Sequence, residues 1–597
     1  MSRIKGDKVS KMKKTTALVI ALTLLTATIL GACGGGVGNA NTTAATQAAG
    51  ATQAQTTAQA AETTQTQTAA PVEQTTEAVT PNDSDSAQKI IWAVHNEADT
   101  LDPGISNNTF ASPILINVFE GLMTYNPSGD LIPGVAESYT IDESGTSYTF
   151  VLRDGLKWSD GSDLTAEDFI YAWTRVITPE TASNFSTMIT DYVKNSKEFF
   201  DGEAKIEDVG FKALDAKTIQ IDTYAPTPYF LDILSTYTWS PVKRSVVEAN
   251  PEAWARDASN YICNGPFKPV DLTIGKGYVL AKNDYYYDAA KVKLREINMR
   301  LIPDNSTALT AFESGEIDGI YDVPVDDIPR LKAESSEYYS IPQFGDTYFL
   351  INTGKAPLDD WRVRKALALA LDRNSLIQNV LQTSDLPATG LVAPGYVVNG
   401  KDYTDGRPDY DVTPTANIEM ARNLLSDAGY PNGAGFPRLN LSYYTNANVK
   451  KYTEAMQQMW KENLNIDMDI STEEWKVYYD NVQAFNYDVC AMGWGGDYLN
   501  PITFLECFIS DSVNNNTQWK NSDYDKYIRE AMGTVDPVKG MELMRSGEDI
   551  LMGEGGFPLI PLYYRSRNIM MKYNVRGWYL TALNNMYFKY CEKVIAN

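Results

Sequence analysis

Apolar residues recur from Lys89 to Asn597 with two periods, and the alternation between them predicts the secondary structure. From Ser147 to Leu152, Tyr148, Phe150 and Leu152 share one face, the two-residue period of a half-buried strand. Ile466, Met468 and Ile470 alternate with Asp467 and Asp469 and predict another, and Ile90-Ile91-Trp92-Ala93-Val94-His95 reads as a third. Between such runs the period becomes helical. Thr165-x-x-Asp168 has the form of a capping box and precedes Phe169, Ala172, Trp173 and Val176 on one stripe. Val363, Ala366, Leu367, Ala370 and Leu371 repeat at helical spacing. Ile418, Ala421, Leu424 and Leu425 do the same before Gly429, a residue suited to the position after a helix. Helices interleaved with strands predict α/β lobes, and the length suffices for two or three of them. No internal repeat is present.

The first 88 residues follow neither period. A basic stretch (Lys11, Lys13, Lys14) precedes an apolar run from about Ala17 to Leu30, and Leu30-Gly31-Ala32-Cys33 follows. The run is shorter than the roughly 20 residues a spanning helix needs, and a basic flank with small residues before a cleavage point describes a secretory signal. The segment resembles a bacterial lipoprotein signal, with Gly31 a mild departure. That resemblance implies a signal peptide over 1–32 and lipid on Cys33. An ordinary secretory signal that ends near a cysteine fits the same pattern. From Gly34 to Gln88 there is no Lys, Arg or aromatic residue, so nothing offsets the entropy cost of ordering this stretch. Residues 33–88 read as a tether with an r.m.s. reach of about 40 Å.

Charge and composition narrow the function. Removing the signal takes away Arg3, Lys5, Lys8, Lys11, Lys13, Lys14 and Asp7, leaving 45 basic against 75 acidic residues, a balance of −30. Nucleic acid is excluded as a partner on that ground, since its binding relies on basic residues that release counterions. His95 is the only histidine, so no Ser-His-Asp or Cys-His arrangement exists without it, and a His-rich zinc site is ruled out. Its place at the end of an apolar run suggests a structural role. Cys263, Cys490, Cys507 and Cys591 show no CxxC spacing, and their apolar flanks favour buried free thiols. Phosphate loops and dinucleotide fingerprints are absent. The expected role is binding without catalysis and without a cofactor.

Several motifs occur in a fixed order. They are Phe119-Glu120-Gly121-Leu122, Pro133-Gly134-Val135-Ala136-Glu137-Ser138, Tyr148-Thr149-Phe150-Val151-Leu152-Arg153, Lys157-Trp158-Ser159-Asp160-Gly161 and Leu164-Thr165-Ala166-Glu167-Asp168-Phe169. Asn264-Gly265-Pro266-Phe267, Ser314-Gly315-Glu316-Ile317-Asp318, Val363-Arg364-Lys365-Ala366-Leu367 with Asp372-Arg373, and Gly493-Trp494-x-x-Asp497-Tyr498 follow. Together they resemble the extracellular oligopeptide-binding proteins of ABC importers, solute-binding protein family 5, over essentially the whole chain after the tether. The resemblance implies an α/β fold, a two-lobed periplasmic-binding-protein-like clamshell with an extra subdomain in the first lobe. Lobe I would comprise 88–119, 240–345 and 565–597, the inserted subdomain 120–239, and lobe II 346–564. It implies oligopeptides as ligands, permease and ATPase subunits of an ABC transporter as partners, a monomer, and lipid anchoring at the extracellular face of the cytoplasmic membrane. A peptide-signal receptor, or a carrier of a sugar or metal complex, would use the same clamshell.

The resemblance also assigns a site. The segment Gly493, Trp494, Gly495 would pair with an extended peptide as an added strand, its glycines allowing close approach. Asp497 would take the α-ammonium group; a helix cap ahead of Asn500-Pro501 is the other reading of that residue. Trp475 and Trp494 match positions that wall side-chain pockets, although lone aromatics also serve as core. Phe185 and Tyr563 complete the aromatic part. Where well-known members have basic residues for the peptide carboxylate, this chain has Leu381, Val449 and Ala491, and an acidic family position becomes Asn107. Arg565 falls where the family often has an aromatic residue facing the cleft. It would serve as a replacement cation or as a hinge residue.

Overall fold

The computed structural model describes residues 88–106 and 110–594. The lipidation site Cys33, the tether and Asn107 lie outside them. Strand β1 (Lys89–Val94) buries Ile90 and Trp92 and leaves His95 just past its end. The chain then enters a separate antiparallel sheet of β2 (Ala136–Ile141), β3 (Ser147–Leu152), β4 (Phe211–Ala213) and β5 (Thr218–Asp222), ordered β2-β3-β5-β4. Tyr148, Phe150 and Leu152 are its buried face, as the two-residue period predicts. Helix α1 (Ala166–Ile177) packs there and starts with the expected capping box, in which the Thr165 amide donates to Asp168 Oδ2 at 2.9 Å. Trp173 on α1 meets Phe169, Phe211 and Trp239 edge-on at 5.7, 5.6 and 5.1 Å. Burying a side chain of this kind contributes about 1.5–3 kcal/mol.

The chain returns to the first lobe through β6 (Phe267–Asp271), β7 (Gly277–Lys282), β8 (Glu296–Leu301) and β9 (Gly319–Ile320). β1 lies between β8 and β9, parallel to both. The long β10 (Tyr338–Ile351) then leads into the second lobe. That lobe contains α2 (Trp361–Leu369), α3 (Ile418–Asp427), β11 (Leu439–Tyr444), α4 (Ala447–Leu464), β12 (Met468–Glu473), α5 (Trp475–Gln483) and β13 (Val489–Gly495). Strand β14 (Leu559–Met571) carries the chain back.

Both lobes share one eleven-stranded sheet. Its order is β12-β11-β13-β10-β14-β9-β1-β8-β7-β6, with the short strand Leu386–Pro387 also paired to β14. This is the two-lobed α/β architecture, and β10 and β14 are the strands common to both halves. Their ladder is interrupted where the lobes meet. Pro342 faces Ser566 and Asp346 faces Tyr564, so four steps along β10 match two along β14, and Gln343, Phe344 and Gly345 bulge out. Such bulges bend and twist a strand locally.

Two arginines of the sequence motifs prove to be internal ties. Arg364 donates to the carbonyls of Leu358, Gly556 and Phe557, and Arg373 to those of Ala368, Leu371 and Pro561. Both are buried, which is tolerable because carbonyl oxygens satisfy the guanidinium donors. All four cysteines of the described residues are buried and free.

Candidate functional site

In open sheets with parallel strands, ligands bind beyond the carboxyl ends of those strands. In lobe II, β11 runs parallel to β12 and β13, so this edge is formed by Tyr444, Glu473 and Gly495 and the segments after them. On one side of β13, Gly493 faces Thr347, Trp494 faces Asp346 and Gly495 faces Gly345. On its other side β11 pairs only with Val489 and Cys490. The far edge of Met492–Gly495 therefore has no strand partner among the described residues.

The glycines here have different reasons. A Cβ on Gly493 would stand 2.2 Å from Arg565 Nη2 and 2.5 Å from the Asp346 carbonyl, so this glycine makes room for the protein's own arginine. A Cβ on Gly495 would meet nothing within 4 Å, so the backbone there does open onto free space.

Asp497 follows two residues beyond β13. Its own amide donates to Thr503 Oγ1 at 3.1 Å, and the Thr503 hydroxyl reaches its Oδ2 only at 3.5 Å. The residue is open to solvent, yet enough protein surrounds it that desolvation, partly offset by Thr503, pushes its carboxyl up to about 6. Asp497 accepts no helix-start amide: the turn starting at Ile502 has Pro501 at its cap, and Asn500 Oδ1 accepts from the Ile502 amide at 3.1 Å. No cation lies within ion-pair distance of Asp497 among the described residues. Nearby, burial raises the Glu506 carboxyl to about 7 against the Tyr498 hydrogen bond, with Asp497 and Asp191 adding to the rise. The segment after β5 meets lobe II here, Tyr229 stacking on Tyr498 at 4.5 Å.

Aromatic side chains line the rest of this edge. Trp475, at the start of α5, is 51% exposed, stacks on Tyr479 at 5.4 Å and meets Tyr444 edge-on at 5.2 Å. Trp494 is half-buried; its indole donates to Thr503 Oγ1 at 3.3 Å and its amide to Asp346 Oδ1 at 3.0 Å. Tyr563 stands edge-on to Tyr452 at 6.2 Å. Two residues further along β14, Arg565 sits opposite the β10 bulge and donates from Nε to Thr347 Oγ1 at 3.1 Å. No carboxylate pairs with it among the described residues. Arg565 also acts on the Asp346 carboxyl: burial lifts that carboxyl to about 8, with Arg565 and the Trp494 amide opposing the rise.

Phe185 lies between α1 and β4, 6.4 Å from Tyr237, and none of its described contacts joins it to Asp497. Leu381, Val449 and Ala491 are buried. Sequence reasoning missed Asp346, Tyr444 and Glu506. Tyr444 alone had a legible signal, as the last residue of a strand in the parallel set. Among the described residues no group of three or more His, Cys, Asp or Glu is placed to hold a metal, and no helix is long and apolar enough to cross a membrane.

Comparison with known proteins agrees with this fold. The oligopeptide-binding protein OppA of Bacillus subtilis strain 168 is 33% identical over 503 residues, covering 83% of this chain and 91% of that protein. The crystal structure of a periplasmic oligopeptide-binding protein, OppAIV, from Borrelia burgdorferi superposes with a TM-score of 0.69 at 34% identity, covering 85% of this chain and all of that one. Haemophilus influenzae OppA in complex with RPPGFSPFR gives 0.67 at 29% identity, over 86% of this chain and 100% of that one. Residues 130–516 match the model described as bacterial extracellular solute-binding proteins, family 5 Middle. With its shared-strand clamshell and this match, the chain belongs to family 5 of the bacterial extracellular solute-binding proteins.

Proposed function

We propose that this protein captures extracellular oligopeptides and delivers them to the permease and ATPase subunits of an ABC importer. One observation carries the reading: among the described residues, the strand edge Met492–Gly495 lacks a partner on one side and leads directly to Asp497, a carboxylate with no cation within ion-pair distance. An extended peptide supplies both missing parts, since its backbone completes the ladder whatever its sequence and its α-ammonium group meets the acid. The exposed Trp475 and half-buried Trp494 then offer rigid surface to side chains at little entropy cost. Similarity to proteins named for oligopeptide binding supports the same ligand class.

Lipid on Cys33 would hold the protein at the outer face of the membrane, with 33–88 as a tether that lets the lobes, as a monomer, reach their permease. The motif Leu30-Gly31-Ala32-Cys33 supports that part. The ligand class is tested by native mass spectrometry of the purified protein, followed by calorimetry with matched free and N-acetylated peptides. Co-purified peptides and a preference for the free amine are expected. A retained sugar or metal complex, or equal affinity for both peptides, would replace this reading.

A further inference from the structure

The four-stranded sheet β2-β3-β5-β4, with α1 packed on it, is fastened to lobe I by buried polar ties. Arg175 on α1 donates from Nη1 to Asp102 Oδ1 at 2.9 Å, both side chains being largely shielded from water. Trp254 donates to the other oxygen of Asp102 at 3.2 Å. The Ser159 amide donates to the Cys263 carbonyl, just ahead of β6, at 2.8 Å. Breaking one partner of a buried charge pair is costly, so this body moves with lobe I.

Toward lobe II it presents aromatic and aliphatic surface. The Tyr148 hydroxyl of β3 donates to the Thr227 carbonyl at 3.0 Å and so fixes the segment that carries Tyr229. The Tyr229 ring lies flat on Tyr498, with centroids 4.5 Å apart and planes 4° from parallel. A second contact is made by the tip of the β2–β3 hairpin. There the Gly145 amide donates to the Asp142 carbonyl at 3.0 Å and closes a turn. A Cβ on Gly145 would stand 2.9 Å from Val535 Cγ2. Val535 sits between the helices Ser522–Met532 and Pro537–Leu551 of lobe II and is itself 54% exposed.

The lobes are joined through β10 and β14, whose ladder is broken at Gln343–Gly345, and motions of one lobe against another are taken up at a few such residues. A body fastened to lobe I keeps its contacts with lobe II only while the lobes stay together. We propose that Tyr229 and the Asp142–Gly145 turn form a latch, which engages Tyr498 and Val535 when the lobes close and slows their reopening. The latch sets how long a ligand stays from outside the strand edge that holds it. Only the identity of that ligand rests on the peptide reading above.

The turn itself supplies the test. Its residues Asp142 and Glu143 are acidic, and the Cα of Asp142 lies within about 7 Å of that of Gly145. Val535→Glu therefore adds a like charge to the contact and Val535→Lys an opposite one, at a site exposed enough to spare the core of lobe II. Stopped-flow tryptophan fluorescence on the full chain with free-amine hepta-alanine measures association and release. Val535→Glu should release the peptide at least about twofold faster than Val535→Lys at low salt. The ratio should approach one at 1 M salt, where screening acts within roughly 3 Å. Tyr229→Ala should speed release roughly two- to tenfold, the worth of an aromatic pair, with association unchanged. Equal release from the two Val535 variants, or faster release from Val535→Lys, overturns the latch. A lower Tm for Tyr229→Ala with unchanged release removes Tyr229 from it. Small-angle scattering without peptide should give Val535→Glu the larger radius of gyration. If hepta-alanine does not bind, the peptide reading falls and the latch is judged on scattering alone, where equal radii overturn it.

Discussion

Replacing Asp497 by asparagine keeps the shape of the side chain and removes its charge, which makes it the sharpest probe of the amine site. In the free protein the carboxyl is held up at about 6, because surrounding protein strips water from it and only Thr503 compensates. At that value roughly nine in ten molecules are ionised at pH 7 and about one in ten at pH 5. An ammonium group binds the ionised form, so wild-type affinity for a free-amine peptide should fall roughly tenfold over those two pH units. Truncating one partner of a desolvated charge pair costs about 2–5 kcal/mol. Asp497 remains accessible before the ligand arrives, so the low end applies: about 2–3 kcal/mol, or roughly 30- to 150-fold in Kd. Glu506, raised to about 7, titrates in the same window, and Asp191 adds to the local negative charge. The raw pH slope thus belongs to Asp497 and Glu506 together, and the part lost in Asp497→Asn is the part due to Asp497. Isothermal titration at pH 5, 6 and 7, with free and N-acetylated versions of one peptide, measures every quantity required. The acetylated peptide should bind wild type about as weakly as the free peptide binds the variant. Equal affinities for the two peptides in wild type, or an identical pH slope in the variant, would refute the reasoning.

Asp346→Asn should stabilise the protein more at pH 8 than at pH 5. Its native carboxyl is held up at about 8 by burial while the unfolded value is about 4, so between those values the native state binds the extra proton and stability falls as pH rises. Equal shifts in Tm at both pH values would refute this. Trp475→Ala should leave Tm nearly unchanged, since the ring is half exposed, but should change the ranking of peptides with bulky side chains in a competition assay; a large loss of Tm with an unaltered ranking would make the ring structural. Because Leu381, Val449 and Ala491 are buried and uncharged, peptides ending in a carboxylate or an amide should differ in affinity by no more than about threefold, within the worth of a weak, exposed ion pair. A strong preference for the acid that disappears in Arg565→Ala would instead make Arg565 the carboxylate anchor. Cys33→Ser should shift the protein from the membrane fraction to the medium or leave it unprocessed, and unchanged fractionation would remove the lipid assignment.

Local structure was the most legible part of the sequence. The strand at Ser147–Leu152 and the capped helix after Thr165 follow from periodicity and one hydrogen-bonding motif, because both depend on neighbours a few residues away. The amine site was legible in identity but not in environment. Nothing in Gly-Trp-x-x-Asp says that Gly493 is occupied by Arg565 from a strand some 70 residues later, a distance of 72 positions in the chain. Asp346 was invisible for the same reason. It sits mid-strand in an apolar run, and its importance comes from β13 and β14 closing over it from either side. The latch joins residues near 145 and 229 to residues near 498 and 535, a set that no spacing rule connects.

The order of strands in the shared sheet constrains when each half of the molecule can be completed. Lobe II draws β11, β12 and β13 from one uninterrupted stretch, so its parallel core can assemble as soon as that stretch is available. Lobe I is different: β9 has β1 on one side and β14 on the other, and β14 is made last. Until Leu559–Met571 arrives, the first strands of the chain have a sheet with one open edge, and contacts of such long sequence separation are slow to close. An unpaired edge of this kind is also a template for association with other chains. A chain truncated before β14 should therefore have an open-edged, aggregation-prone first lobe, and a second lobe lacking its β10–β14 pairs and the Pro561 acceptor of buried Arg373, so the first-made lobe waits for the end of the chain.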